Sequence, residues 1–294
     1  MFVAKIGVAE FRCKMILRAR QTFVETLHCN VSTLIKLGAI AFLFFLLISC
    51  TPKQSNSLTV SAAASLRNVL EEVKIEYAKS QPDVKINYNF GASGALQQQI
   101  EQGADVDVFI SAAAKQMDAL ESKNLLLTDT RKNILGNQIV LIVPKNAEEI
   151  SGFADLKGDS ASAHAGLRIT KIALGEPKSV PAGKYTQEVL TYYQILENTK
   201  SKFIFAKDVR QVLSYVETEN VDAGIVYITD AKQSNSVKIV ATAPVKSHSP
   251  VIYPVAVIRN SKNVAQARSF IGFLLSREAN NIYIKYGFNK PSIK

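Results

Sequence analysis

LTVSAAASLRNVLEEVKIEYAKSQPDVKINYNFGASGALQQQIEQGADVDVFISA, residues 58 to 112, is the stretch that decides the fold. Leu58 to Ala63 is a short apolar run of strand character, and Leu66, Val69, Leu70, Val73 and Tyr77 then recur at helical spacing. Val84 to Phe90 reads as a second strand, Ser93 to Gln102 as a helix, and Val106 to Ala112 as a third strand. Strands alternating with helices predict an α/β fold with largely parallel sheets.

Working outward, Gln138 to Pro144 is a β-rich run placed where the chain crosses from one half to the other. The theme then repeats. Arg168 to Leu174 and Lys202 to Ala206 read as strands, and Ala182 to Asn198 and Asp208 to Glu219 as helices, the last with Val209, Val212, Leu213 and Val216 on its apolar face. Strands at Ala223 to Ile228, Val237 to Ala243 and Tyr253 to Ile258 precede a helix from Val264 to Tyr286. No Pro/Gly-rich linker separates independent domains. The expected organisation is two lobes joined by a hinge, 58–137 with 243–294 forming the first and 138–242 the second.

The first 49 residues differ in character. The uncharged run Leu37 to Ile48 ends in Leu47-Ile48-Ser49-Cys50, a signal peptide with a lipoprotein ending, and is shorter than the roughly 20 apolar residues a spanning helix needs. Cleavage before Cys50 frees it for lipid attachment and leaves 50–57 as a lipidated tether, so the expected location is outside the cytoplasm on a membrane surface. Residues 1–30 are long for the charged part of a signal, which points to translation beginning at Met15 or Val31.

The whole chain of 294 residues carries 35 Lys/Arg, 25 Asp/Glu and a net charge of +10. Losing 1–49 removes six basic and two acidic residues, leaving 29 and 23, or +6. The excess is diffuse, which argues against nucleic acid and leaves a mild attraction for anions. Of the three cysteines only Cys50 survives processing, so a disulfide or cysteine metal site is excluded.

Four strand-to-helix junctions carry small or hydroxyl residues: Ala63-Ala64-Ser65, Gly91-Ala92-Ser93-Gly94, Val180-Pro181-Ala182-Gly183 and Lys207-Asp208-Val209. A first helical turn leaves N–H donors unpaired at the positive end of the macrodipole, where an anion can sit without a cationic side chain. Taken singly, Ser65 and Ser93 are good helix N-caps.

These segments resemble the periplasmic molybdate-binding proteins of ABC transporters. The resemblance spans nearly all of the mature chain. It rests on AAASL (62–66), NFGASGALQQQIEQGADVDVFISA (89–112), LGN (135–137), GEPKSVPAGKY (175–185), KDVR (207–210), GIVYITDA (224–231), YPVAV (253–257) and KYGF (285–288). It implies a type II periplasmic-binding fold whose two lobes close on an oxyanion. Carried over by motif, Ser65 and Ser93 of the first lobe and Tyr227 of the second donate hydroxyls, and Ala182 and Val209 of the second donate backbone N–H groups.

Molybdenum then enters only as bound molybdate, which is cargo, and no cofactor is expected. The implied partners are molybdate or tungstate, a permease with its ATPase subunit, and the membrane through the lipid; a monomer is expected. Ser61, where the family is often apolar, and Gly94, where a serine is common, depart from the pattern and bear on ligand preference.

Two rivals stand beside this reading. One keeps the binding class and changes the cargo to sulfate, iron or an organic anion; iron would want several converging Tyr, His or carboxylate ligands, and among ten tyrosines only Tyr227 falls on a cleft-facing motif. The other is a hydrolase. Gly91-Ala92-Ser93-Gly94-Ala95 nearly matches a nucleophile elbow, with Ser93 as nucleophile, His248 as base and Asp222 or Asp230 as orienter. Against it, the last elbow glycine is alanine and no HGGG-like oxyanion loop is present.

Overall fold

The computed structural model describes residues 56–147, 150–158 and 169–291. The predicted signal segment, Cys50, most of the predicted tether and Arg168 lie outside the described residues. Along the chain run β1 Ser57–Ala63, α1 Arg67–Ser80, β2 Lys85–Gly91, α2 Ser93–Glu101, β3 Val108–Ile110, α3 Ala114–Ser122, β4 Leu126–Gly136 and β5 Ile139–Pro144. There follow β6 Ile172–Gly175, α4 Pro181–Tyr192, α5 Leu196–Thr199, β7 Phe203–Ala206, α6 Val209–Glu217, β8 Ala223–Tyr227, α7 Ile228–Ala231, β9 Val237–Thr242, β10 Ile252–Ile258, α8 Val264–Leu274 and α9 Arg277–Lys285.

The strands form two five-stranded sheets, ordered β2-β1-β3-β10-β4 and β7-β6-β8-β5-β9. The chain leaves the first sheet after β4 and returns to it at β10, so two crossings link the halves. Both sheets are mixed, which corrects the largely parallel expectation. β1, β2 and β3 run parallel, as do β6, β7 and β8. β10 lies antiparallel between β3 and β4, and β5 antiparallel between β8 and β9. The strand that brings antiparallel pairing into each sheet, β5 or β10, is the first one after a crossing.

Burial explains the apolar runs. Leu58, Val60 and Ala62 of β1 and Ile139 to Val143 of β5 are fully buried, because helices cover both faces of each sheet. Helix α1 buries Val69, Leu70, Val73 and Tyr77, and α6 buries the predicted Val209, Val212, Leu213 and Val216.

Two predicted helices are broken. The one beginning at residue 182 ends at Tyr192, because Gln194 takes a left-handed backbone (φ 56°) before α5. The C-terminal one divides at Ser276, whose side chain accepts from Ala279 N–H and starts α9. Helix α3 and strand β4 fill a stretch that carried no predicted element. β4 meets β10 with two register shifts, at Tyr253/Pro254 and Val255/Val257, and Pro254 is tolerated beside this irregularity. The bulging blurs the two-residue alternation by which a strand is recognised.

Candidate functional site: a small cavity between the halves

The four junctions converge. Ala63, Ala64, Ser65, Gly91, Ala92, Ser93 and Ala112 from the first sheet's half, and Val180, Pro181, Ala182, Asp208, Val209 and Tyr227 from the second's, line one cavity of about 10 Å³. That is roughly the least space that admits one water-sized body, so only a small, compact solute fits. All five sequence-proposed residues, Ser65, Ser93, Ala182, Val209 and Tyr227, are on its wall.

The serines do not cap their helices. Ala92, in extended backbone, occupies the N-cap of α2, and Ser93 is the first helical residue; neither α2 nor α1 has a side-chain cap. Each serine is engaged as an acceptor or partner at its back. Ala112 N–H donates to Ser93 Oγ at 2.9 Å, which leaves the Ser93 proton for the cavity. Ser65 Oγ is 3.0 Å from Tyr253 Oη. Asn137 Nδ2 donates to that same Tyr253 Oη at 3.1 Å and to Thr229 Oγ1 at 2.8 Å. Asn137 thus donates to Tyr253, and Tyr253 and Ser65 share one hydrogen bond in which either hydroxyl can be the donor. Gln138 N–H in turn fixes Asn137 through Oδ1 at 2.9 Å.

Tyr227, at the end of β8, is 1% exposed, and its hydroxyl has no hydrogen-bond partner among the described residues. An orphaned buried hydroxyl costs about 1–3 kcal/mol, a cost removed by an acceptor in the cavity. Burial pushes the Tyr227 and Tyr253 phenols well above their ordinary range, so both stay protonated donors.

The second half supplies backbone. Helix α4 starts with Pro181 in its first turn, which suits a position lacking an internal partner. Its start is pressed onto the end of β6: a Cβ on Gly183 would stand 1.9 Å from Gly175 carbonyl oxygen, so only glycine lets the turn bearing Ala182 sit there. Helix α6 is capped by Asp208, whose Oδ1 accepts from Gln211 N–H at 2.9 Å. Asp208 is the one charged residue among those lining the cavity, and the lining contains no Lys, Arg or His.

Behind Tyr227, Asp230 is fully buried and pairs with Arg210 Nε at 2.9 Å. Burial, only partly offset by Arg210, raises its carboxyl to about 6. Arg210 Nη2 also donates across the cleft to Asn68 Oδ1 at 3.0 Å.

Tyr253, Asn137 and Arg210 were quoted in motifs without a site role. Their signal in the sequence is weak, because each has a partner 92 to 188 residues away along the chain. Among the described residues no three His, Cys, Asp or Glu side chains cluster around one metal position.

The hydrolase constellation is not assembled. His248 lies outside the cavity, its Nδ1 2.7 Å from Ser249 carbonyl oxygen and its ring against Tyr185. Asp222 accepts from Thr170 and Lys171, and Asp230 faces Arg210. A larger groove of about 560 Å³ beside the cavity is lined by Lys115, Asp118, Lys184 and Glu188 among others. Its lining mixes both signs of charge.

Two mixed-sheet halves, joined by two crossings and meeting at a small cavity walled by hydroxyls and helix starts, define a two-lobed solute-binding protein. Residues 58–289 match the model of the bacterial extracellular solute-binding proteins, and the chain belongs to that family. It is 42% identical over 253 residues to a Bacillus subtilis protein assigned as an ABC transporter substrate-binding lipoprotein, covering 83% of this chain and 94% of that one. It is 36% identical over 260 residues to the molybdate-binding protein of Haemophilus influenzae, covering 88% and 97%. Among solved structures, a substrate-binding domain assigned to a molybdenum ABC transporter of Clostridium difficile superposes with a TM-score of 0.62 at 44% identity, covering 80% and 99%.

Proposed function

We propose that this protein captures molybdate, and tungstate with it, outside the cytoplasm and delivers it to an ABC permease powered by its ATPase subunit. The halves 58–137 with 243–294 and 138–242 are the jaws, lipid on Cys50 is the tether, and the carrier works as a monomer that does no chemistry on its cargo. The oxyanion is bound as cargo, not as a resident cofactor. The Haemophilus and Clostridium relatives support the cargo by name, and the Bacillus relative supports the lipid anchor.

The observation that carries the reading is the donor set. Ser65, Ser93, Tyr227 and the starts of two helices line a cavity whose lining has no basic side chain, and the Tyr227 hydroxyl is buried with no hydrogen-bond partner among the described residues. A bare dianion costs tens of kcal/mol to desolvate in a low-dielectric medium. Two helix dipoles at ~0.3–1 kcal/mol each are minor beside five charge-assisted hydrogen bonds at roughly 1.5–3 kcal/mol each. The hydrogen bonds therefore dominate, and they act together only when both jaws are closed.

Selectivity follows from the same inventory. Hydroxyls and backbone amides can all donate protons, which suits a fully ionised tetrahedral anion over phosphate carrying its own hydrogen. Asp208, the carboxylate on the wall, accepts the Gln211 N–H through Oδ1. Titration calorimetry with molybdate, tungstate, sulfate and phosphate tests this. Tight molybdate and tungstate binding with weak phosphate binding is expected; phosphate binding as tightly as molybdate overturns the reading.

A further inference from the structure

Residues 135–139 make the first crossing between the two sheets. Leu135 pairs with Tyr253 in one sheet, and Ile139 pairs with Tyr227 in the other. Asn137 is the midpoint of that bridge. It is buried but off the cavity wall: neither Asn137 nor its side-chain partners Thr229 and Tyr253 are among the lining residues.

One neighbour fixes which way the Asn137 amide is turned. Gln138 N–H can only donate, so the atom 2.9 Å from it is the amide oxygen. Nδ2 then gives one hydrogen to Thr229 Oγ1 at 2.8 Å and the other to Tyr253 Oη at 3.1 Å. Turning the amide over would set N–H against N–H.

Each hydroxyl that Asn137 holds is close to a hydroxyl residue of the cavity wall. Tyr253 Oη is 3.0 Å from Ser65 Oγ. Thr229 lies just beyond Tyr227, and Ile228 between them donates its N–H to Gln138 carbonyl oxygen at 2.9 Å. Residues 227, 228 and 229 are thus tied in turn to 139, 138 and 137. Ser65 follows β1 of one sheet and Tyr227 ends β8 of the other, so a single buried amide reaches toward both walls.

We infer, resting on the oxyanion-binding reading, that Asn137 is a positioning residue that fixes the separation of the Ser65 and Tyr227 hydroxyls. Its Tyr253 arm holds Ser65, and its Thr229 arm holds the segment that carries Tyr227. One tetrahedral anion engages both hydroxyls only while that separation matches the spacing of its oxygens.

Thr229→Val and Tyr253→Phe each cut one arm and keep the shape of the side chain. Each is combined in the full chain with Ser65→Ala and with Tyr227→Phe, and molybdate is titrated into every variant by calorimetry beside the unaltered protein, which apportions the effect between arm and target. Alone, each arm variant is expected to weaken molybdate binding by about threefold or more, the loss of one hydrogen bond. Tyr253→Phe should cost less than about twofold once Ser65 is alanine, yet keep its full loss in the Tyr227→Phe background; Thr229→Val should show the reverse pattern. Asn137→Ala should lose at least as much as either arm variant, and if it fails to fold the two arm variants carry the test. A residue that only stabilised the fold would lower the anion-free melting temperature and show no such dependence on background. Affinity within about twofold of the unaltered protein in either arm variant, or losses equal in all backgrounds, overturn the positioning role while the oxyanion reading stands. An unaltered protein that binds no molybdate overturns that reading, and the role of Asn137 with it.

Discussion

Tyr227→Phe separates binding from folding more cleanly than any other change at the site. The Tyr227 hydroxyl is enclosed and has no partner among the described residues, and the proposed function makes the anion its acceptor. A hydrogen bond to a charged acceptor is worth roughly 1.5–3 kcal/mol. At about 1.4 kcal/mol per decade, its removal weakens molybdate binding by roughly 10- to 150-fold. The fold should not register the change. The ring remains to pack beside Tyr253, with centroids 6.0 Å apart, and no hydrogen bond within the protein is broken. A stability change within about 0.5 kcal/mol keeps the anion-free melting temperature within about 2 °C. Calorimetry for affinity and differential scanning calorimetry of the anion-free protein make the assay. Unchanged affinity, or a melting temperature several degrees lower, refutes the reasoning: the first removes the donor role, the second shows a structural partner.

Tyr253→Phe breaks the relay from Asn137 to Ser65, and it should weaken molybdate binding several-fold and also lower the anion-free melting temperature, because buried Asn137 loses an acceptor; calorimetry and thermal melting report both. Asp230, raised to about 6 by burial and facing Arg210 and Asp208, binds its proton more tightly folded than unfolded. Its contribution to stability therefore falls as pH rises from about 4 to about 6 and is flat above, and Asp230→Asn should remove that slope from a melting-temperature profile. His248→Ala should leave oxyanion affinity unchanged in calorimetry, since its ring is turned to Ser249 and Tyr185.

Much of this arrangement was legible in the sequence where local physics decides it. Helical spacing identified α1 and α6, since each has a single apolar stripe facing a sheet. The small and hydroxyl residues at four junctions marked the helix starts that now line one cavity, and motif resemblance singled out the five residues on its wall.

What escaped reading depends on distant contacts. Ser65 and Ser93 looked like caps, yet tertiary partners, Tyr253 and the Ala112 amide, hold them in place of their own helix amides. Strand direction was misjudged because β5 and β10 are antiparallel insertions made by crossings between halves, and apolar content alone does not encode direction. β4 was missed because bulges at β10 disrupt its alternation. Gly94 was noted only as a departure from a serine; its N–H donates to Ser179 carbonyl oxygen in the other half.

Anomalous diffraction at the molybdenum edge, from crystals grown with molybdate, tests the central claim most directly. The account predicts one strong peak in the cavity between the halves, within hydrogen-bonding reach, through its oxygens, of the Ser65, Ser93 and Tyr227 hydroxyls and the Ala182 and Val209 N–H groups. A peak anywhere else on the protein, or a cavity left without one at saturating molybdate, contradicts it.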